Sequence, residues 1–204
     1  MKIKSIALIV VLVLTAFGVL ASSASADGNT FVAFDNKAVE VDCNGNVVNF
    51  HEFNSPVRDL ERLSNGNTLV AFDNKVVEVD SAGNVVNSHT FSSPVRDLER
   101  VESNGNTLIA FDNKAVEVDS AGNVVNSHAF SSPVRDLERV ESNGNTLVAF
   151  DNKAVEVDSA GNVVNSHTFS SPVRDLERLS NGNTLVAFDN KAVEVDSAGN
   201  VVNS

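Results

Sequence analysis

The chain has 204 residues, 27 acidic and 15 basic, for a formal net charge of −12, with one cysteine, twelve phenylalanines and neither tryptophan nor tyrosine. That charge excludes nucleic acid and anionic lipid as partners, since both would repel it. A single cysteine cannot build an internal disulfide framework, so stability has to come from packing.

The first element is a targeting segment. Lys2 and Lys4 precede an uncharged apolar run of sixteen residues, Ile6 to Ala21, and "ASA" at Ala24 to Ala26 places small residues just ahead of Asp27. This order predicts a secretory signal peptide over residues 1–26. The alternative is a retained anchor, for which the run is short against the roughly 20 residues of a membrane span. The expected location is secreted or cell-surface, with no membrane contact beyond that segment. Without Lys2 and Lys4 the mature chain has 13 basic residues against 27 acidic ones, a net charge of −14. Residues 27–204 are long enough to bury one core.

From there on the chain repeats itself. "FDNKAVEVDSAGNVVNS" stands at Phe111–Ser127, Phe150–Ser166 and Phe188–Ser204, with close variants from Phe34 and Phe72, so the phenylalanines recur at intervals of 38, 39, 39 and 38 residues. The units run approximately over 28–55, 56–93, 94–132, 133–171 and 172–204. The extra residue of the longer units lies where "RLSNGNT" (Arg62–Thr68, Arg178–Thr184) becomes "RVESNGNT" (Arg100–Thr107, Arg139–Thr146). A hairpin absorbs such an insertion as a longer loop or a bulge.

Within the third unit, "PVRDLER" (Pro94–Arg100), "TLIAF" (Thr107–Phe111), "AVEVD" (Ala115–Asp119) and "VVNSHAF" (Val124–Phe130) are short runs rich in Val, Leu and Phe. Turn clusters of Gly, Asn, Asp, Ser and Pro separate them, which predicts four strands. No apolar spacing of 3.6 survives those breakers, so a helical repeat is excluded. A period near 40 residues with four antiparallel strands predicts an all-β protein, a β-propeller of five repeats. The second strand is apolar on both faces and needs cover on both sides, which neighbouring blades provide. A β-helix fits less well, since its coils are shorter and lack internal hairpins. The first unit begins at Gly28 with no "PVRDLER" before it. The prediction is therefore four four-stranded blades and a first blade without its inner strand. Such a chain is either a closed ring with a gap or an open arc that covers its bare faces with a second copy.

The stretch "RDLERLSNGNTLVAFDNKAVEVDSAGNVV" (Arg174–Val202) resembles the propeller repeats of arylsulfotransferase-like and quinoprotein-like (PQQ-type) proteins, which share an "NGNTL" hairpin followed by "VEVD..GNVV". The resemblance covers essentially the whole mature chain and implies the blade type. A sulfotransferase of that kind implies a special His and Arg arrangement in loops that these minimal turns do not provide. A quinone cofactor implies an aromatic platform such as Trp, which is absent. No cofactor is expected.

"RDLER" recurs at Arg58–Arg62, Arg96–Arg100, Arg135–Arg139 and Arg174–Arg178. Strand alternation puts Arg96, Leu98 and Arg100 towards one neighbouring blade and Asp97 and Glu99 towards the other. This predicts an inter-blade lattice of ion pairs, because buried charges must be paired. The second use of the same residues is a ring of guanidinium forks for an anionic or carboxylated ligand, with Arg58, Arg96, Arg135 and Arg174 beside Asp59, Asp97, Asp136 and Asp175. On the lattice reading, Arg135→Gln and Arg174→Gln should destabilise the fold. His51, His89, His128 and His167 fall on the outermost strands, where a solvated polar face is expected and not a metal site, whose ligands must converge. "VDSAGN" reads as a turn capped by its Asp, since it lacks the ligand run of an EF-hand. Cys43 occupies a position that is serine in later repeats, the pattern of simple drift at a turn.

Catalysis needs unlike residues that meet once, whereas these polar residues recur four or five times in one setting. The expectation is a non-enzymatic exported scaffold, binding protein or glycan at a repeated surface or serving as an envelope element. The alternatives are an enzyme or cofactor-binding propeller of the resembled types, or a shortened product of repeat amplification.

Overall fold

The computed structural model describes residues 28–203 in full and the backbone of residues 21–24. The remainder of the predicted leader lies outside the described residues. Among the described residues there are twenty strands and no helix. The chain divides into two compact units, one ending at Val95 and the other beginning at Arg96.

The first unit contains two antiparallel sheets. One is β1 (Ala21–Ala24), β2 (Thr30–Phe34), β3 (Lys37–Val41) and β4 (Val47–Glu52); the other is β5 (Val57–Arg62), β6 (Thr68–Phe72), β7 (Lys75–Val79) and β8 (Val85–Thr90). The second unit contains three. They are β9 (Val95–Arg100) to β12 (Val124–Ala129), β13 (Val134–Val140) to β16 (Val163–Thr168), and β17 (Val173–Arg178) to β20 (Val201–Asn203). Strand order in every sheet follows chain order, as in a propeller blade. The strands fall where the Val-, Leu- and Phe-rich runs predict them.

Turn chemistry sets the blade. Between the second and third strands the link is two residues, Asp-Asn, with the aspartate at a positive φ of 50–56° in all five copies. Asp is one of the few residues that tolerates this region, because its short side chain bonds locally. The turn also holds the crossover to the next blade. In the first unit the Asp35 carbonyl accepts from Val57 N–H at 2.7 Å, and the Asn36 carbonyl accepts from Phe53 N–H at 2.8 Å. Asn36 Nδ2 returns a bond to the Phe53 carbonyl at 2.8 Å. In the second unit Asp151 and Asn152 do the same for Val173 and Phe169.

Each core forms between adjacent blades of one unit, and its two sides differ in size. In the second unit Leu108, Ala110 and Ala115 present small groups to the Leu137, Val148, Phe150, Val155 and Val157 side of the next blade. Leu147, Ala149 and Ala154 repeat this against Leu176, Val186, Phe188, Val193 and Val195. In the first unit Phe31, Ala33 and Ala38 meet Leu60, Val70, Phe72, Val77 and Val79. Crossover phenylalanines close the ends: Phe53 lies 4.8 Å from Phe72, Phe130 4.9 Å from Phe150 and Phe169 5.0 Å from Phe188, centroid to centroid. Thr68–Phe72, Thr107–Phe111 and Thr146–Phe150 are thus buried on both faces, which is why the pattern is continuous and not alternating, whereas in Thr184–Phe188 Leu185 and Ala187 are half-buried.

One expectation is corrected. The first sheet has four strands, and its inner strand is Ala21–Ala24, from within the residues read as leader. Ala21, Ser22, Ser23 and Ala24 pair with Ala33, Val32, Phe31 and Thr30. A β-ladder is built by backbone groups, so an extended segment without proline can take an open edge whatever its side chains.

Candidate functional site

The inner strand Val-Arg-Asp-Leu-Glu-Arg does not alternate as read. A register shift separates Val57 from Asp59, Val134 from Asp136 and Val173 from Asp175, so the first arginine of each strand is the extra residue of a β-bulge. Arg58, Arg135 and Arg174 are turned out by it; they and Arg96 are exposed, and among the described residues none makes a hydrogen bond or ion pair. Two-residue alternation resumes only after the bulge. Leu and the second arginine then face the preceding blade, and Asp and Glu face the following one.

The predicted lattice therefore exists with different partners. Asp97 and Glu99 accept from the backbone N–H groups of Leu137 and Arg139 at 2.7 and 2.5 Å. Asp136 and Glu138 do the same for Leu176 and Arg178, again at 2.7 and 2.5 Å. In the first unit Asp59 accepts from Leu60 N–H at 2.8 Å. Asp175 is exposed. The structure brings Asp97 and Asp136 into inter-blade bonds and leaves Arg58, Arg96, Arg135 and Arg174 outside them.

The guanidinium that is paired is the second one. Arg139 Nη2 meets Glu117 at 2.5 Å and Arg178 Nη2 meets Glu156 at 2.5 Å, both pairs largely buried. These glutamates belong to "AVEV" strands. Glu117 also accepts from Asn104 and Asn106 at 3.0 and 2.7 Å, and Glu156 from Asn143 and Asn145 at 2.9 and 2.7 Å. Burial pushes the Glu117 carboxyl up, but the asparagine bonds and the Arg139 charge outweigh it, and the group lies below its ordinary range. Glu156 behaves likewise with Asn145, Asn143 and Arg178. In the first unit Arg62 lies over the Phe31 ring, 4.6 Å from its centroid.

Sequence reasoning missed these glutamates. The signal was present: from the second unit on, the last Asn of "NGN" lies eleven residues ahead of the Glu of Val-Glu-Val, and the hairpin register that pairs Leu108 with Glu117 brings loop and carboxylate together.

The histidines are half-buried and are not a solvated face. His51 Nδ1 and Cε1 lie against Gly83, and His128 and His167 lie against Gly161 and Gly199 of the following blades. A Cβ on Gly161 would stand 2.7 Å from His128 Cε1 and closer still to Nδ1, and the glycine is at φ +85°. Alongside, Asn49 donates to the Ser81 carbonyl at 3.2 Å, and Asn126 and Asn165 to those of Ser159 and Ser197 at 2.9 Å. Outer strands thus clasp the next turn.

The turn itself is as read. Asp119 Oδ1 accepts from Ala121 and Asn123 N–H at 2.9 and 2.8 Å, and Oδ2 from Asn123 Nδ2 at 2.9 Å. The Asn123 bonds hold the exposed Asp119 carboxyl below its ordinary value. Among the described residues no three of His, Cys, Asp and Glu are grouped to hold a metal. Cys43 is exposed as a free thiol. Outer strands also expose paired valines, Val47–Val48 through Val201–Val202, at 52–60 % of their surface.

No family model and no curated protein matches the chain. Solved structures do. A protein of unknown function from Bacteroides caccae aligns with TM-score 0.75 and 19 % identity over 91 % of this chain and 80 % of that one. Virginiamycin B lyase from Staphylococcus aureus aligns with TM-score 0.74 and 12 % identity over 92 % and 70 %. The WD40 β-propeller domain of Doa1 aligns with TM-score 0.75 and 16 % identity over 86 % and 62 %. At these identities the likeness shows the fold, which is a β-propeller.

Proposed function

We propose that the chain is an exported, non-enzymatic propeller that binds a protein or glycan through carboxylated or otherwise anionic groups. The observation that carries this reading is a division of labour within "RDLER". Arg139 and Arg178 and the acids Asp97, Glu99, Asp136 and Glu138 are spent on joining blades, while Arg58, Arg96, Arg135 and Arg174 stand exposed and unengaged among the described residues. Guanidinium forks suit carboxylate recognition, and weak identical contacts add by avidity.

The arylsulfotransferase-like or quinoprotein-like blade type remains the finer reading of the repeat, without its chemistry. An enzymatic alternative is favoured by one observation, that a lyase shares the fold. Screening the purified chain against protein and glycan arrays tests the binding proposal. Retained binding by a variant with Gln at positions 58, 96, 135 and 174 refutes it. Turnover of a streptogramin B antibiotic replaces it with the enzymatic one.

A further inference from the structure

In the second unit every inner strand that has a following blade gives that blade two carboxylates. Asp97 and Glu99, then Asp136 and Glu138, each take the backbone N–H groups of a Leu and an Arg one blade on. In the first unit β1 packs beside β5 as these strands pack beside theirs. The ladders fix the equivalence. Ala21 faces Ala33 and Ala24 faces Thr30 across β2, as Asp59 faces Ala71 and Arg62 faces Thr68 across β6. So Ala-Ser-Ser-Ala occupies the four positions that belong to Asp-Leu-Glu-Arg.

The consequence is visible on β5. Leu137 and Leu176 donate to a carboxylate of the preceding blade, but Leu60 N–H donates to Asp59, one residue away on its own strand. Arg62 lies over the Phe31 ring, which stands where later blades have Leu, and its Nη1 donates to Thr68 Oγ1 at 3.2 Å. No residue type in β1 supplies a carboxylate.

We infer that the inner edge of β2 is a receptor groove for a strand of the chain's own inner type, Val-Arg-Asp-Leu-Glu-Arg, supplied in trans by a second chain built of these modules. The inference rests on the export reading, because cleavage before Asp27 removes β1 and opens the groove. The incoming backbone pairs with β2 as β5 pairs with β6, its Asp and Glu face β5, and its Asp takes the Leu60 N–H. This is β-strand addition with side-chain selection.

The test uses the full chain with Met1 retained, alongside a Ser22→Pro, Ser23→Pro variant whose β1 loses two backbone donors and cannot hold the edge. The probe is a fluorescent peptide with the sequence of Phe169–Ser180, read by anisotropy. The variant is expected to bind one peptide per chain, about tenfold or more tighter than the unaltered chain does. A peptide with Asn and Gln in place of its two acids is expected to bind the variant about tenfold weaker, the effect of losing a charge-assisted bond. Absence of binding, or equal binding of both peptides, overturns the inference. Protein recovered from the medium is a second sample, lacking β1 altogether, and must give the same result. If its N-terminus proves to be Met1, the export reading fails while the proline variant still judges the groove.

Discussion

Replacing Gly161 by alanine asks whether the outer histidines hold the blades together or only coat them. Two costs are expected. The first is backbone strain, about 1–2 kcal/mol for an L-residue in the left-handed region. Gly182 measures that cost alone, since it sits at φ +86° with nothing within 4 Å of an added Cβ, against φ +85° for Gly161. The second is steric. The new methyl would lie 2.7 Å from His128 Cε1, inside any real carbon contact, so the ring must leave its seat. Overpacking of this kind adds about 1–2 kcal/mol. Gly161→Ala should therefore lower the melting temperature by roughly 4–16 °C, at about 2–4 °C per kcal/mol for a chain of this length, and Gly182→Ala by about half as much. In a His128→Ala background the excess should vanish, giving a coupling energy of about 1–2 kcal/mol in the double-mutant cycle. Urea and thermal denaturation followed by far-UV circular dichroism supply all four corners. Equal losses for the two glycines, or an excess that survives removal of His128, would refute the clasp.

The bulge predicts an asymmetry between arginines one turn of "RDLER" apart. Arg139→Gln or Arg178→Gln should cost about 3 kcal/mol by stranding a largely buried glutamate, while Arg135→Gln or Arg174→Gln should stay within about 0.5 kcal/mol; a chemical-denaturation series ranks them. Glu117 and Glu156 titrate in the folded chain below the ordinary glutamate value of 4.5. The unfolded chain thus binds protons first, so their stabilisation is complete above that value and is lost as pH falls through the lowered one. Melts between pH 7 and 3 should show this slope, and Glu117→Gln with Glu156→Gln should flatten it. Expression of the whole chain in a secreting host should yield protein beginning at Asp27 by terminal sequencing.

What the residues disclosed and what they hid follow from one physical distinction. Strands and hairpins depend on local chemistry, and "TLIAF", "DN" and "SAGN" state theirs openly. The propeller follows from the same local facts, because a sheet apolar on both faces at this period has few other ways to be covered. The bulge does not announce itself. "PVRDLER" contains no glycine to mark one, and alternation carried unbroken through the strand gave Arg135 and Arg174 the same inter-blade side as Arg139 and Arg178, which alone of the four pair there. The glutamate cradle was hidden for another reason: Asn104, Asn106 and Arg139 come from a loop and a different blade, so their convergence on Glu117 exists only after register and stacking are set. The strand at Ala21–Ala24 was hidden because alanine and serine carry no pattern, only a backbone.

The unequal faces of the blade, alanine and leucine on one side and valine and phenylalanine on the other, also bear on inheritance. Because the small sides of the third and fourth copies meet the same large side on the next copy, a gene that slips during replication and gains or loses one such repeat leaves a joint of that kind with the partner chemistry it had before. Repeat number in such a lineage can drift without compensating substitutions, and near-identical copies are what recent drift of that kind leaves behind.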